Sequence, residues 1–561
     1  MSERLHDPSN TEVTHEKQGQ DAAPSDHDIS RLHDGAEIAT NSEHGDDGEV
    51  TEYPGKAQLT IIVVALCLVV FLMALDNAII ATAIPRITDQ FKSLTDVGWY
   101  GSAYLLTTAA LQLQYGKFYT YLSIKWTFLS AVAIFEIGSV LCGAAQSSIM
   151  LIIGRAIAGL GAAGIYSGAL IILANSVPMA QRPAYIGLIG SMYGVSSVAG
   201  PLLGGVFTDK VSWRWCFYIN LPIGAVVAAI IVFYFPRITQ HKPPKEPLLR
   251  RIDRFDPIGT VLLIPAVICL LLALQWGGVK YPWNSGRVIA LFVVGGLLLL
   301  GFVGVQQWKQ ENATVPPRIM RSRTVWASAL YAFALGASFF IGVYYIPIWF
   351  QAVKGTSAVG SGIRNLPMML SAVLVSILAG ILVTAQGHYV PYFYLGTVGM
   401  SVGGGMLTTW TPETKTANWI GYQILFGVGV GFCLQQPMVA VQTVLDIKDV
   451  PVGASLIVFV QSLGGAMFVS VGETVLSNSL VKELVKNAPT VHPSEVLETG
   501  ASRLQGTFSK EVLPGIILSY NNALTQIFLV ATVMAAFTVV GCVFVEWKSV
   551  KGKNIEMGAA A

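Results

Sequence analysis

Three ionisable side chains lie well away from the ends of long apolar stretches of this sequence: Asp76, Glu136 and Arg155. Each stretch holds about 20 mainly apolar residues, which is the length of a helix that crosses a membrane. A charged group inside such a helix is energetically costly, and by default it indicates a functional site, often one that moves ions or protons. We therefore take these three residues as candidates for proton coupling.

Asp76 and Arg155 are expected to lie at similar depth in the membrane. Asp76 comes nine residues before Pro85 in a span that runs outward, and Arg155 follows the start of an inward-running span by six residues. At about 1.5 Å per residue, both lie roughly 9–14 Å below the outer face. They could neutralise each other and share a buried network that responds to protonation. The alternative is a static structural ion pair.

Glu136 is the third candidate, and it lies near the middle of its apolar run. A solitary carboxyl group at that depth could hold a proton and take part in exchange. It could equally be a neutral structural acid that is hydrogen-bonded within the protein.

Amide and aromatic side chains also occur inside the apolar runs. Such groups usually face the interior of a helix bundle. There they could line a cavity for a large amphipathic organic molecule, or they could only bond neighbouring helices. The candidates are Asn77, Gln112, Tyr344, Gln351, Gln435, Gln436, Gln442 and Gln461.

The composition limits what the chain can be. Only 12% of its 561 residues are charged and 53% are hydrophobic, whereas about 25% of the residues of an ordinary soluble protein are charged. These values argue against a disordered chain, a coiled coil, a nucleic-acid binder and a soluble enzyme. The expected surroundings are a lipid bilayer. We find no Walker motif and no metal-ligand cluster in the sequence, so we expect an ion gradient to supply the energy, with no cofactor.

Long continuous apolar runs predict an all-α protein with fourteen membrane spans. The second run, which holds Gln112 and Gln114, and the glycine-rich eleventh are the weakest. The runs cover residues 58–82, 97–115, 125–145, 149–174, 184–206, 215–235, 257–276, 287–307, 326–350, 363–384, 391–409, 417–444, 453–476 and 523–546.

Charge along the chain predicts the topology. Residues 1–56 hold fourteen acids and four bases and show little apolar periodicity, so we expect a disordered acidic tail. Basic residues cluster in loops 237–256 and 309–325 and in the tail after the last span, which places both termini in the cytoplasm. Loop 477–522 has mixed charge and is expected to be external, with a short helix or two.

Three motifs resemble those of one transporter family. Residues 75–85 are similar to the first-span signature of proton-coupled drug antiporters of the major facilitator superfamily, and 154–161 resemble an arginine-containing motif of their fourth span. Residues 200–205, Gly-Pro-Leu-Leu-Gly-Gly, resemble the antiporter signature of the fifth span. The stretch 213–222 looks like fungal members with fourteen spans. The conformational candidates in the antiporter motif are Gly200, Pro201, Gly204 and Gly205.

One motif departs from the superfamily pattern. Between the second and third spans the family has a central Asp among basic residues, but this sequence has Thr120 at that position. An Asp-based latch between domains is therefore not expected here. Lys117 and Lys125 are interpreted as interfacial anchors.

The resemblance implies a major facilitator fold with two six-helix bundles and two additional linker helices. The expected divisions are 1–56, an acidic tail; 57–236, the N-terminal bundle; 237–256, a basic loop; 257–308, the linker pair; 309–325, a second loop; 326–547, the C-terminal bundle including loop 477–522; and 548–561, a cytoplasmic tail. Substrate is expected near the midplane between the bundles, with access that alternates between the two sides.

The resemblance also implies a function. It predicts a monomer that exports a hydrophobic drug or a secondary-metabolite toxin in exchange for protons, in a fungal plasma membrane or, alternatively, a vacuolar membrane. Other roles stay open at this point, namely siderophore transport, vacuolar basic-amino-acid transport and a receptor that transports nothing. A membrane enzyme is not expected, because the loops show no nucleophile–base grouping.

Overall fold

The structure is a computed structural model, and it describes residues 54–91, 96–235, 252–278, 281–499 and 504–551. Most of the predicted acidic tail, 1–56, lies outside these residues, as do most of loop 237–256 and of the tail 548–561. The described part of the chain is helical almost throughout. The prediction of an all-α polytopic protein is therefore confirmed.

Seven helices form the N-terminal bundle, because the last predicted span of this bundle, 215–235, is broken near Ile219 into two helices. The helices are α1 (Lys56–Phe91), α2 (Val97–Tyr121), α3 (Ile124–Gly143), α4 (Ser148–Ser176), α5 (Arg182–Lys210), α6 (Trp215–Tyr218) and α7 (Asn220–Tyr234). The linker pair, α8 (Pro257–Trp276) and α9 (Gly286–Lys309), follows, and then the short α10 (Pro317–Arg321).

The C-terminal bundle contains the remaining helices. They are α11 (Arg323–Ala352), α12 (Ala358–Arg364), α13 (Leu366–Gln386), α14 (Val390–Leu407), α15 (Thr416–Cys433), α16 (Gln436–Val444), α17 (Val450–Asn487), α18 (Pro493–Thr499), α19 (Leu504–Thr507) and α20 (Leu513–Phe544). The expected external loop does hold two short helices, α18 and α19. The loop itself is shorter than the predicted 477–522, since α17 continues to Asn487 and α20 begins at Leu513.

Length and apolar composition identify twelve of the described helical segments as candidate membrane spans. All fourteen predicted runs fall on helices, but α2 and α14 are not among the twelve. These two contain the runs with the weakest apolar signal, so the count of fourteen stays a prediction.

Small residues bring the helices of the N-terminal bundle close together. A Cβ added at Gly138 would lie 2.6 Å from the Cα of Ala158, so α3 and α4 touch through their backbones. A Cβ at Gly161 would lie 2.6 Å from the carbonyl oxygen of Ala131, on the same helix pair. Without a hydrophobic driving force in lipid, such close packing is a main source of helix association.

A buried carboxylate, that of Asp256, connects the start of α8 with the end of α9 and with the segment that follows it. Asp256 accepts hydrogen bonds from Gln306 Nε2 (2.7 Å) and from both the backbone N–H and the hydroxyl of Thr314 (2.9 and 2.8 Å). Gln114 of α2 donates to the carbonyl of Phe255 (3.0 Å) and accepts from the hydroxyl of Thr260 (2.7 Å). These bonds fix the start of α8 and the end of α9 against the N-terminal bundle.

Basic helix ends collect on one side of the molecule, which we call the basic face and define by Lys309, Arg318 and Arg323. Arg323 donates to the carbonyl of Phe544 (2.7 Å), so the start of α11 meets the end of α20. Arg318 forms a bidentate pair with Asp449 at the start of α17 (2.9 and 3.1 Å). The hydrogen bonds that Arg318 donates to the Asp449 carboxylate raise the pKa of the guanidinium, which therefore stays charged.

The two bundles contact each other closely on the side of the basic face. A Cβ at Gly116, near the end of α2, would lie 3.2 Å from the carbonyl of Pro451 at the start of α17. A Cβ at Gly187, in the first turns of α5, would lie 2.7 Å from the carbonyl of Ser376 in α13. Lys117 is buried at this seam, with 1% of its side chain exposed, so its interpretation as an interfacial anchor was wrong.

Candidate functional site

The site centres on a buried ion pair inside the N-terminal bundle. The structure brings Asp76 of α1 and Arg155 of α4 into direct contact, with Arg155 Nη1 donating to Asp76 Oδ2. Both side chains are fully buried. The two residues are 79 positions apart in the chain, and the similar depth that their spans predicted is what allows them to meet.

Arg155 is also held by α2. Its Nε donates to the carbonyl of Tyr100 (2.8 Å), and its guanidinium carbon lies 4.4 Å from the ring centroid of Tyr104. The Tyr104 hydroxyl in turn donates to the carbonyl of Met73 in α1 (3.2 Å). A cation over an aromatic face is attracted by the ring quadrupole, more strongly where water is excluded. Arg155 Nη2 has no hydrogen-bond partner among the described residues.

Asn220 is a member of the site that the sequence analysis missed as a functional candidate. Its Nδ2 donates to Asp76 Oδ1 (3.1 Å) and to the hydroxyl of Ser139 (3.0 Å). Asn220 is fully buried and is the first residue of α7, just after the break that follows α6. A signal was present, because Asn220 lies in the recognised stretch 213–222 and is an amide within an apolar run.

Glu136 lies one helical turn from this network without a hydrogen bond to it. Glu136 and Ser139 share a face of α3, and Gly224 stands one turn after Asn220 on α7. The Glu136 carboxyl group lies directly against Gly224, where any added Cβ would overlap it. Both of its oxygens are buried, and neither has a hydrogen-bond partner in the described part of the chain. Glu136 is therefore a buried acid that lies beside the network and is not bonded into it.

The glycines of the antiporter motif divide into two kinds. A Cβ at Gly200 would lie 2.7 Å from the Cβ of Ala78, and one at Gly204 would lie 2.8 Å from the carbonyl of Ile79. These two glycines therefore let α5 contact α1 within a turn of Asp76. Gly205 faces open space, and α5 continues as a helix through Pro201.

The candidate cavity side chains have different surroundings. Gln435 lies against Gly190 of α5 and reaches Tyr166 of α4, so it crosses between the bundles. Gln112 donates to the carbonyl of Ala163 (3.1 Å) and to Ser167, which ties α2 to α4.

The other candidates do not form one cluster of contacts. Gln351 Nε2 donates to Ser361 (3.0 Å). Gln436 and Gln442 are buried, each with at least one amide atom that lacks a partner in the described structure. Asn77 and Gln461 are half-buried, and Tyr344 is exposed.

The arrangement is suited to moving a proton rather than to covalent chemistry. Asp76 is the ion-pair partner of Arg155, and Glu136 offers a second carboxyl group nearby. Without the Asp76 carboxylate, Arg155 would be a buried cation with no counter-ion, which is costly in a medium of low dielectric. The burial of each of these two charges therefore depends on the presence of the other.

The fold is similar to that of solved transporters. A bacterial homologue of the human lysosomal transporter Spinster, in an inward-facing and unoccupied conformation, aligns with a TM-score of 0.53 and 16% identity over 88% of this chain and 98% of its own. The human organic anion transporter MFSD10 (TETRAN) aligns with a TM-score of 0.51 and 13% identity, over 85% and 99% of the two chains. At these identities the likeness concerns the fold alone.

Relatives of similar length are much more alike in sequence. The MFS-type efflux pump MFS1 of Arthroderma benhamiae is 55% identical over 94% of this chain and 98% of its own. The aspyridones efflux protein of Neocamarosporium betae is 52% identical, over 91% and 90%. The efflux pump roqT of Penicillium rubens is 50% identical, over 91% and 95%.

A family model covers the same region. The model of the Major Facilitator Superfamily matches residues 66–469, which include the ion pair, the antiporter motif and the linker pair. This is a family of transporters rather than of enzymes. On the match to this model, the relatives and the fold, the chain belongs to the major facilitator superfamily.

Proposed function

We propose that the protein is a proton-coupled exporter of small amphipathic organic molecules, of the kind formed as secondary metabolites or encountered as drugs. Three relatives that are 50–55% identical over at least 90% of this chain have names that describe efflux. Efflux is therefore the transport direction that we assign to this member of the superfamily. Its proposed location is the plasma membrane, as a monomer with the basic face in the cytoplasm.

The observation that carries the proton coupling is the buried pair of Asp76 and Arg155. With Asp76 ionised, the pair holds α1 against α4, and Asn220 adds a hydrogen bond from α7. A proton on Asp76 cancels the attraction and leaves Arg155 with the Tyr100 carbonyl and the Tyr104 ring as its partners. That state favours a rearrangement that solvates or re-pairs Arg155.

The helix that carries the antiporter motif, α5, connects the Asp76 network to the interface between the two bundles. Gly200 and Gly204 fix the distance between α5 and α1 beside Asp76. The first turns of the same α5 contact α13 of the other bundle at Gly187. Because α5 is one continuous helix, a shift of α1 at Asp76 displaces the inter-bundle contact some 20 Å away, at about 1.5 Å per residue.

With the basic face in the cytoplasm, each contact between the two bundles can be assigned to one side of the membrane. The bundles then pack closely on the cytoplasmic side, at Gly116 and Gly187, and they also meet nearer the outer side, where a Cβ added at Gly362 of α12 would lie 4.0 Å from Pro201 Cγ. Protons from outside would reach the buried Asp76 and Glu136 once this outer contact opens. Substrate would enter from the cytoplasm after the bundles rock, and would bind near Gln435, which already crosses the interface.

A toxicity screen followed by measured efflux tests the function. Cells with and without the protein are exposed to a panel of hydrophobic drugs, siderophores and basic amino acids, and the accumulation of each hit is measured. The proposal expects resistance with lowered accumulation of amphipathic compounds. Resistance without a change in accumulation would contradict it, and movement of siderophores or basic amino acids alone would favour the other roles.

Proteoliposomes test the coupling separately. With an outward-directed substrate gradient, an antiporter acidifies the lumen of the vesicle only when its substrate is present. The matched variant is Asp76→Asn, which keeps the size of the side chain and removes its charge. We expect it to bind substrate and to lose substrate-dependent proton movement. Normal proton movement in this variant would contradict the coupling role of Asp76.

A further inference from the structure

An apolar cavity of about 590 Å³ lies between the linker pair and the two bundles. Its walls come from α8, α9, α10, α2 and α17, and nearly all of its lining is hydrocarbon. An apolar cavity does not hold water stably, and an empty one forfeits the dispersion contacts of every side chain around it. A space of this size within membrane-spanning helices therefore calls for a hydrophobic occupant.

The cavity has the length and direction of a lipid chain. Along α9 its lining extends from Phe292 to Gln307, which is about 22 Å at 1.5 Å per residue. One leaflet accounts for about half of a hydrocarbon core of roughly 30 Å. The cavity thus reaches from the basic face past the middle of the membrane, parallel to the helices.

The mouth of the cavity has the residues that meet lipid headgroups. Gln307 and Met320 line the end near the basic face. Trp308, with 72% of its surface exposed, and the exposed Arg321 are their direct neighbours in sequence. Arg321 has no ion-pair partner among the described residues, whereas nearby Arg318 is paired with Asp449. Tryptophan and arginine at this depth fit the boundary between acyl chains and phosphates.

We propose that this cavity binds a phospholipid of the leaflet at the basic face, with one acyl chain inside it and the phosphate near Arg321. The inference goes beyond the export function and does not depend on which compound is exported. The lining includes Leu113 of the N-terminal bundle and Leu456 and Leu463 of the C-terminal bundle. The bound acyl chain would therefore lie on the seam between the bundles. A deformable acyl chain keeps this seam filled as the bundles rock.

The chain offers a matched pair of variants on α9. Gly296 lines the cavity, and a Cβ added at this position would have no atom within 4 Å. Gly296→Phe should therefore fill the cavity with no clash at its Cβ. Gly304 is on the same helix, is equally open and does not line the cavity. Gly304→Phe therefore makes the same chemical change outside the proposed site. Gly296→Leu is a smaller filler that tests the same space.

The experiment uses full-length protein in liposomes that contain phosphatidylserine with a photoreactive diazirine in its acyl chain. After illumination, peptides that carry lipid are mapped by mass spectrometry. We expect adducts on Leu456–Leu463 of α17 in the unmodified protein. They should fall about tenfold in Gly296→Phe, which displaces at least two methylenes, and stay unchanged in Gly304→Phe. Arg321→Gln should lower them about fivefold, the value of one phosphate contact.

Several results would overturn the proposal. Equal labelling of α17 in Gly296→Phe and in the unmodified protein would show that the cavity is not the site. Adducts confined to Leu297 and Leu300, which are exposed on the surface of α9 and do not line the cavity, would show the same. Loss of the α17 adducts on addition of an exported drug at trace concentration would identify the drug as the occupant instead. Circular dichroism melting of all variants excludes loss of fold, and Gly296→Leu repeats the test if Gly296→Phe does not fold.

Discussion

The ion pair of Asp76 and Arg155 gives the sharpest test of the site. Both side chains are fully buried, and removing one partner from such a pair typically costs about 3–5 kcal/mol, because the other charge is left uncompensated. Replacing both partners with groups of similar volume costs much less. We therefore expect Asp76→Asn and Arg155→Met each to lower the free energy of unfolding by about 3 kcal/mol, and the double variant to recover most of that loss.

The assay is a double-mutant cycle on purified protein in mild detergent, with unfolding followed by circular dichroism. A favourable coupling energy of at least ~2 kcal/mol between the two residues is expected. Additive effects of the two substitutions would refute the reasoning, because they would mean that neither charge depends on the other for its burial. The Tyr100 and Tyr104 contacts of Arg155 are too weak to replace a lost carboxylate.

The same three variants decide between a static ion pair and a proton-responsive one. If the pair is only structural, the stable double variant should exchange substrate for protons nearly as the unmodified protein does. If Asp76 carries the proton, the double variant should be folded and should bind substrate without moving protons. Substrate-dependent acidification of proteoliposomes, measured beside a binding assay, separates these outcomes.

Three further predictions concern the neighbours of the pair. Gly204→Ala should destabilise the protein and slow efflux, because its Cβ would overlap Thr82, whereas Gly205→Ala on the same helix faces open space and should do neither; equal melting temperatures would contradict this. Asn220→Leu removes two buried hydrogen bonds and should cost about 1–3 kcal/mol in the free energy of unfolding, measured by denaturant titration; an unchanged value would exclude Asn220 from the network. Glu136→Gln should fold normally, since no partner is lost, but should change the number of protons moved per substrate in proteoliposomes; an unchanged ratio would make Glu136 a structural acid.

Much of the fold followed from local properties of the sequence. A membrane span is recognisable because about 20 apolar residues must be consecutive, and all the predicted runs fall on helices. The ends of the helices were less predictable. α1 continues to Phe91 and α17 to Asn487, beyond the apolar runs that identified them, because polar residues near a membrane face can extend a helix without any apolar signal.

Depth along a helix could be predicted, but rotation about its axis could not. The contact of Asp76 with Arg155 was expected from depth, since both charges must avoid lipid and their spans run in opposite directions. The antiporter motif shows the limit of this reasoning. Its glycines are alike in sequence, yet Gly204 touches α1 and Gly205 does not. Only the packing of α5 against its neighbours distinguishes them.

The sequence by itself determined that the chain is a membrane protein, which of its segments are long and apolar, and that Asp76, Glu136 and Arg155 lie within such segments. These properties depend on the transfer energy of each side chain into lipid, which acts residue by residue. The tertiary structure decided that Asn220 completes the site, that Lys117 is buried in a seam and that a lipid-sized cavity lies beside α9. Each of these depends on which helix faces which, a choice made by the simultaneous packing of many helices whose apolar faces look alike in sequence.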